Sequence, residues 1–239
     1  MQPHVVFIHG ALNDHTVWRA QSRHFAQHGY RVLTPDLPAH GAAPGPALGS
    51  VAAMADWLLA QLDAAQIGQA ALVGHSLGAL IALEAAARAP QRIGHLALLG
   101  VAYPMKVAET LLATARSDEP RAIDMVAKWS HTPGHERADE LRQLMLRLSR
   151  QQSGRHLLHT DLAACNAYDR GEAAAGGVHC PTLFIFGASD VMTPPKAART
   201  LTAALPHARS VTVQAGHAMM VEQPDAINDA LLKFCLPEH

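Results

Sequence analysis

Val73-Gly74-His75-Ser76-Leu77-Gly78 is the stretch that decides the fold. Ahead of it, Ala70 to Val73 is a short apolar run of the kind that forms a buried parallel strand. After it, Ala79 to Arg88 is rich in Ala and Leu, lacks Gly and Pro, and stops short of Pro90, which predicts a helix. A serine between two glycines at a strand-to-helix junction sits on a sharp turn. Gly74 and Gly78 let strand and helix approach closely, and the Ser76 hydroxyl is pushed out above the sheet. That is a nucleophile's position. A serine that merely caps a helix would leave the same pentapeptide, so its partners downstream decide the reading.

Working outward, strands are predicted at Val5 to Ile8, Arg31 to Thr34, Leu96 to Leu99, Leu183 to Phe186 and Ser210 to Val213. Helices are predicted between them at Thr16 to Gln27 and Val51 to Asp63, and at Pro224 to Phe234 after the last strand. Short apolar strands alternating with helices predict an α/β class with a mostly parallel sheet covered on both faces. The alternation breaks between Val101 and about Gly177. That segment holds helical stretches at Met105–Arg116, Arg121–Trp129 and Ala138–Arg150 and no strand. The expected organisation is a core of residues 1–100 and 178–239 with an all-helical cap, 101–177, overhanging the carboxyl ends of the strands. Met105, Leu111, Met125, Trp129, Met145 and Leu148 of the cap either line a pocket or pack the cap down. The pocket candidates are Leu12, Met125, Trp129 and Met219.

The bulk numbers exclude several classes. A chain of 239 residues holds one sizeable core, and its formal charge of −1 with no Lys/Arg-rich run argues against nucleic acid or anionic membrane as partner. No apolar stretch is long enough for a membrane span, and Met1 to His4 leads straight into a strand without a basic leader, so a cytoplasmic location is expected. Cys165, Cys180 and Cys235 are odd in number and without C-x-x-C spacing, which fits reduced thiols. His24 and His28 sit at i, i+4, but no third ligand is near in sequence; neither metal nor cofactor is expected.

Acyl transfer by serine needs a base, a group to orient the base, and donors for the oxyanion. Gly216-His217-Ala218 follows the last strand and Gly187-Ala188-Ser189-Asp190 the one before, so both loops open at the edge of the sheet where Ser76 lies. The chain order is Ser, Asp, His. His9-Gly10-Ala11 follows the first strand, where backbone N–H groups can face the site. His75 is read as packing, Trp18 as core, and Asp14 and Asp36 as loop-turn and cap residues.

These motifs together resemble the α/β-hydrolase superfamily. Gly74-His75-Ser76-Leu77-Gly78 is similar to its nucleophile elbow, His9-Gly10 to its oxyanion loop, and Asp36-Leu37-Pro38-Ala39-His40-Gly41 to the loop after the next strand. Asp190 with Thr193-Pro194, and Gly216-His217 with Glu222-Gln223-Pro224, are similar to its acid and histidine loops. The resemblance implies Ser76 as nucleophile, His217 as base, Asp190 as its orienting acid, and the N–H groups of Ala11 and Leu77 as oxyanion hole. It implies a serine hydrolase of a small carboxylic ester or thioester, acting through an acyl-enzyme without a cofactor. The family usually carries an antiparallel hairpin before the first strand here. Only four residues precede Val5, so about six strands, all parallel, are expected.

Two other activities remain open. A C–C bond hydrolase of ring-cleavage products shares triad and lid, although those enzymes commonly place an aromatic residue after the histidine, where this chain has Ala218-Met219-Met220. A ligand-binding receptor could keep fold and pocket without turnover. Ser76 at the elbow excludes haloalkane dehalogenase and epoxide hydrolase chemistry, which need Asp there, and Ala11 replaces the Trp of cofactor-free haloperoxidases.

Overall fold

The structure, a computed structural model, describes residues 2–151 and 155–235. The outer ends of the two core ranges, Met1 and residues 236–239, lie outside the described residues. Its frame is β1 (His4–Ile8), β2 (Arg31–Leu33), β3 (Ala70–His75), β4 (Ile93–Leu99), β5 (Thr182–Gly187) and β6 (Arg209–Val213). They form one sheet in the order β2-β1-β3-β4-β5-β6, with every pair parallel. The chain leaves β1 towards one edge and returns as β3 on its other side. This switch opens a crevice beyond the strand ends, where Ile8 is in register with Gly74.

The period-two alternation of each strand divides the core. Val6, Ile8, Leu72, Leu98 and Phe184 face one side, and Val5, Phe7, Val73, Leu99 and Ile185 the other. The central strands β1, β3, β4 and β5 can therefore read as near-continuous apolar runs, whereas edge strand β2 is half-buried and edge strand β6 largely exposed. Helix α1 (Arg19–Gln27) covers the second side, packing Phe25 edge-on against Phe7. Helices α2 (Val51–Ala64) and α3 (Leu77–Arg88) cover the first. Ser50 caps α2 by accepting the Ala53 N–H, and Val51, Met54, Ala55, Leu58 and Leu62 follow at helical spacing as its buried face. The single helix expected over Thr16–Gln27 is instead a 3-10 turn at His15–Trp18 followed by α1. Asp14 draws in both the N–H and the hydroxyl of Thr16, which tightens the first turn.

Between β4 and β5 come α4 (Glu109–Ser117), α5 (Glu119–Ser130), α6 (Ala138–Gln151), α7 (Leu157–Ala167) and α8 (Gly171–Gly176). Helices α4 to α7 share their own apolar cluster, including Leu111, Ile123, Val126, Met145, Leu148 and Leu158. Leu12 and Ala39, from loops at the strand ends, are the sheet-side members of that cluster. The end of α7 and all of α8 pack differently: Cys165, Tyr168, Ala174 and Ala175 join the cluster around α2 and α3. Glu84, fully buried on α3, holds this junction through Tyr168 Oη at 2.8 Å and Arg170 Nε at 3.2 Å. Helices α9 (Arg199–Ala204), α10 (Met219–Glu222) and α11 (Pro224–Cys235) complete the chain, with α11 beside α1 against the second face.

Candidate active site

Ser76 is the single residue between β3 and α3, with φ 54° and ψ −116°, a left-handed backbone that a residue bearing a Cβ adopts only under constraint. Its amide donates to the Leu99 carbonyl at 2.9 Å, and its carbonyl accepts from Ala79 at 2.9 Å. Its side chain makes no capping bond to α3, which sets aside the capping alternative. The turn exists because of its glycines. A Cβ at Gly74 would collide with the Gly78 carbonyl, and one at Gly78 with the Ile8 carbonyl. Gly78→Ala is therefore expected to lower the unfolding free energy by about 1–3 kcal/mol in urea denaturation, since backbone on both sides must move.

His217 follows β6, and its Nδ1 lies 2.8 Å from Asp190 Oδ2. Asp190 is 3% exposed and fully engaged: its Oδ1 accepts the N–H groups of Met192 and Thr193, both at 2.8 Å. Thr193 Oγ1 stands 2.8 Å from Asp190 Oδ2, 2.8 Å from the Gly100 carbonyl and 3.0 Å from His217 Nδ1. Burial would raise the Asp190 carboxyl, but the His217 ring and the donors of Thr193 outweigh it and hold the group well below the usual carboxylate range. An ionised Asp190 fixes the proton of His217 on Nδ1 and leaves Nε2 as the basic nitrogen. Among the described residues Ser76 Oγ forms no hydrogen bond; contacts of this kind tighten once substrate is bound.

His75 is not simple packing. Its ring centroid is 4.6 Å from that of His217, and its Nε2–H donates to the His217 carbonyl at 2.9 Å. Burial, with His217 beside it, pushes His75 down to about 3, so it is neutral and acts as a prop rather than a base. The loop of His217 is further tied by Ala218 N–H to the Ser130 carbonyl at 2.7 Å and by Gly216 N–H to Glu222 at 3.0 Å.

On the opposite side, Leu77 opens α3, so its N–H is one of the unpaired first donors of that helix, at the end favoured by negative charge. Ala11 N–H has no partner among the described residues, whereas Leu12 N–H is taken by Asp161. Ser76, His217, Gly10, Ala11 and Trp129 line a common cavity of about 1290 Å³. Of the four pocket candidates only Trp129 lines it. Leu12 is fully buried in the cluster of α4 to α7, Met125 packs against that same cluster, and Met219 is fully buried on the α1 side of the sheet. Met105, Val107, Val126 and Met145 line the cavity instead, together with charged residues that include Arg19, Arg23, Lys106, Glu136 and Arg147.

The family model for the α/β hydrolase fold matches residues 3–120, and one for a TAP-like protein matches residues 154–237. A Klebsiella pneumoniae (strain 342) protein, provisionally named carbamate hydrolase RutD, is 33% identical over 96% of this chain and 90% of its own. The pimeloyl-[acyl-carrier protein] methyl ester esterase of Aromatoleum aromaticum is 31% identical over 94% of each. The solved structure of a thermophilic esterase superposes with a TM-score of 0.81 at 27% identity, over 96% of this chain and 88% of that one. The chain belongs to the α/β-hydrolase superfamily.

Ser76 directly follows β3, Asp190 lies in the loop after β5 and His217 in the loop after β6. Two features had no signal in the sequence. Nothing in the Thr193-Pro194 pair says that the hydroxyl would touch both acid and histidine, and nothing beside Ser76 says that His75 would carry the His217 carbonyl. No helix among the described residues is long and apolar enough to cross a membrane.

Proposed function

We propose that this α/β-hydrolase is a serine hydrolase of carboxylic esters or thioesters, with Ser76 as nucleophile, His217 as base and Asp190 as the orienting acid. One observation carries the reading. The His217 ring, locked by buried Asp190 at 2.8 Å, shares a cavity with a serine held at φ 54° whose hydroxyl is spent on no cap. Nε2 of His217 takes the proton of Ser76 as Oγ bonds to the substrate carbonyl carbon, and the carbonyl oxygen becomes an oxyanion facing the N–H groups of Ala11 and Leu77. The protonated His217 then gives that proton to the leaving alcohol or thiol as its bond to carbon breaks. Water, deprotonated by the same nitrogen, attacks the acyl-enzyme and releases the acid, restoring Ser76. The relatives, an esterase and a protein provisionally named a carbamate hydrolase, support carbonyl substrates with a leaving group on this fold.

In this reading α4 to α7 form the cap, and the cap sets substrate choice. The cavity exceeds the usual range for a small ligand, and its lining mixes apolar side chains, among them Met105, Val126 and Met145, with charged ones. An extended acyl or alcohol part therefore fits better than a minimal one. Across a chain-length series of nitrophenyl esters, Trp129→Ala is expected to change relative kcat/KM by a few-fold to about a hundredfold, on the order of 1–3 kcal/mol. Met125→Ala, outside the cavity, should leave the preference unchanged. Lactones and thioesters in the same panel rank the leaving group. Stoichiometric acylation without turnover would identify a receptor instead.

A further inference from the structure

Asp161 lies on α7, far in sequence from the site, yet it is fully buried and its Oδ2 accepts the Leu12 N–H at 2.8 Å. Leu12 is itself fully buried with φ 46°, a left-handed conformation that this bulky residue does not adopt without support. It directly follows Ala11. We propose that Asp161 is a positioning residue that sets the oxyanion hole, so that the Ala11 donor is assembled only while α7 is seated on the strand ends. This rests on the reading of Ser76 as nucleophile and Ala11 as oxyanion donor.

The same Asp161 oxygen lies 2.8 Å from His40 Nε2, and His40 Nδ1 lies 3.1 Å from the Pro38 carbonyl. Both His40 nitrogens thus face acceptors, which suits an imidazolium paired with a carboxylate at 1% and 0% side-chain exposure. Among the described residues Asp161 Oδ1 has no hydrogen-bond partner, so the carboxylate grips the loop through Oδ2. The other end of the oxyanion loop is held as well. His9, its ring 5.0 Å from that of His40 and tilted to it, donates from Nδ1 to the Gly10 carbonyl at 2.9 Å and accepts the Leu37 N–H on Nε2 at 3.0 Å. Burial pushes His9 down to about 4, in keeping with that neutral tautomer. Gly10 and Leu12 are fixed on either side, and the N–H between them is left for the substrate.

The link is one of geometry rather than of stability alone. If α7 lifts, Leu12 loses its partner and Ala11 N–H swings with it; a misplaced oxyanion donor costs rate without costing ground-state binding. The expected result for Asp161→Asn, which keeps the shape but removes the charge that holds His40, is a 10- to 100-fold fall in kcat on a nitrophenyl ester. KM should stay within about threefold, and Asp161→Ala should fall further. kcat is taken per site titrated with a fluorophosphonate, so a variant that merely folds less well shows no change. Affinity for a trifluoromethyl ketone should weaken by the same factor, while inhibition by the carboxylate product does not move. His40→Gln, which leaves the Leu12 bond in place, should lose three- to tenfold in the same readout, and serves if the Asp161 variants do not fold. Wild-type labelling at Ser76 with kcat per site within twofold in every variant that folds overturns the inference alone. Failure of the wild type to label at Ser76 overturns the nucleophile reading and this inference with it.

Discussion

Ser76→Ala is expected to abolish fluorophosphonate labelling and to lower kcat by about 10⁶-fold, since a nucleophile acts as a unit with its base and leaves only binding and the oxyanion donors when removed. The geometry makes this a sharp test. Ser130 lines the same cavity and Ser189 directly precedes Asp190, so these two are the serines to which a wrong assignment would map. Their own bonds are backbone ones: the Ser130 carbonyl at the end of α5 accepts the N–H of Ala218 from the His217 loop, and the Ser189 N–H donates to the Ala215 carbonyl at 3.0 Å. Neither holds the strained junction backbone that presents a hydroxyl above a sheet. Labelling that persisted in Ser76→Ala, or mapped by peptide analysis to Ser189, would overturn the assignment. The substitution removes one oxygen and no packing, so the variant should unfold at the same urea concentration as the parent, and loss of activity cannot be charged to loss of fold.

The strands and the order of the motifs were legible because buried parallel strands must be apolar on both faces. The runs Val5 to Ile8 and Leu183 to Phe186 have no other reading in a chain this size. The elbow was legible because only glycine survives where backbone meets backbone, at Gly74 and Gly78. The pocket was not. Leu12, Met125 and Met219 have the right chemistry, but a side chain's direction depends on helix crossing and loop curvature, which no local pattern encodes. Helix α7 escaped for a related reason. Its buried face carries Asp161 and its outer face Ala163 and Ala167, so polar and apolar residues do not sort by face to mark its period. The ties that assemble the site, Asp161 to Leu12 and Thr193 to His217, join segments 149 and 24 residues apart, and such pairings appear only once the chain is folded.

Asp190→Asn is expected to keep the fold and lower kcat by about 10⁴-fold. The amide oxygen can still accept from Met192 and Thr193, so the loop should hold its course. The opposing NH₂ then meets His217 Nδ1 and turns the ring to the tautomer whose Nε2 carries the proton and cannot take one from Ser76. The same substitution has a stability signature with a definite sign. The folded Asp190 carboxyl lies below its ordinary value of 3.8, so it contributes stability that is fully present above that value and is lost as pH falls through the folded value. Urea denaturation should therefore show wild type more stable than Asp190→Asn at pH 7, with the gap closing below about pH 4. A gap that is absent at pH 7, or that widens in acid, would mean that the fold does not favour the ionised Asp190 carboxylate. Retention of near-full activity by the variant would remove Asp190 from the mechanism. The loop after β4, Gly100-Val101-Ala102-Tyr103, offers no carboxylate to take its place, so the triad reading itself would then fail.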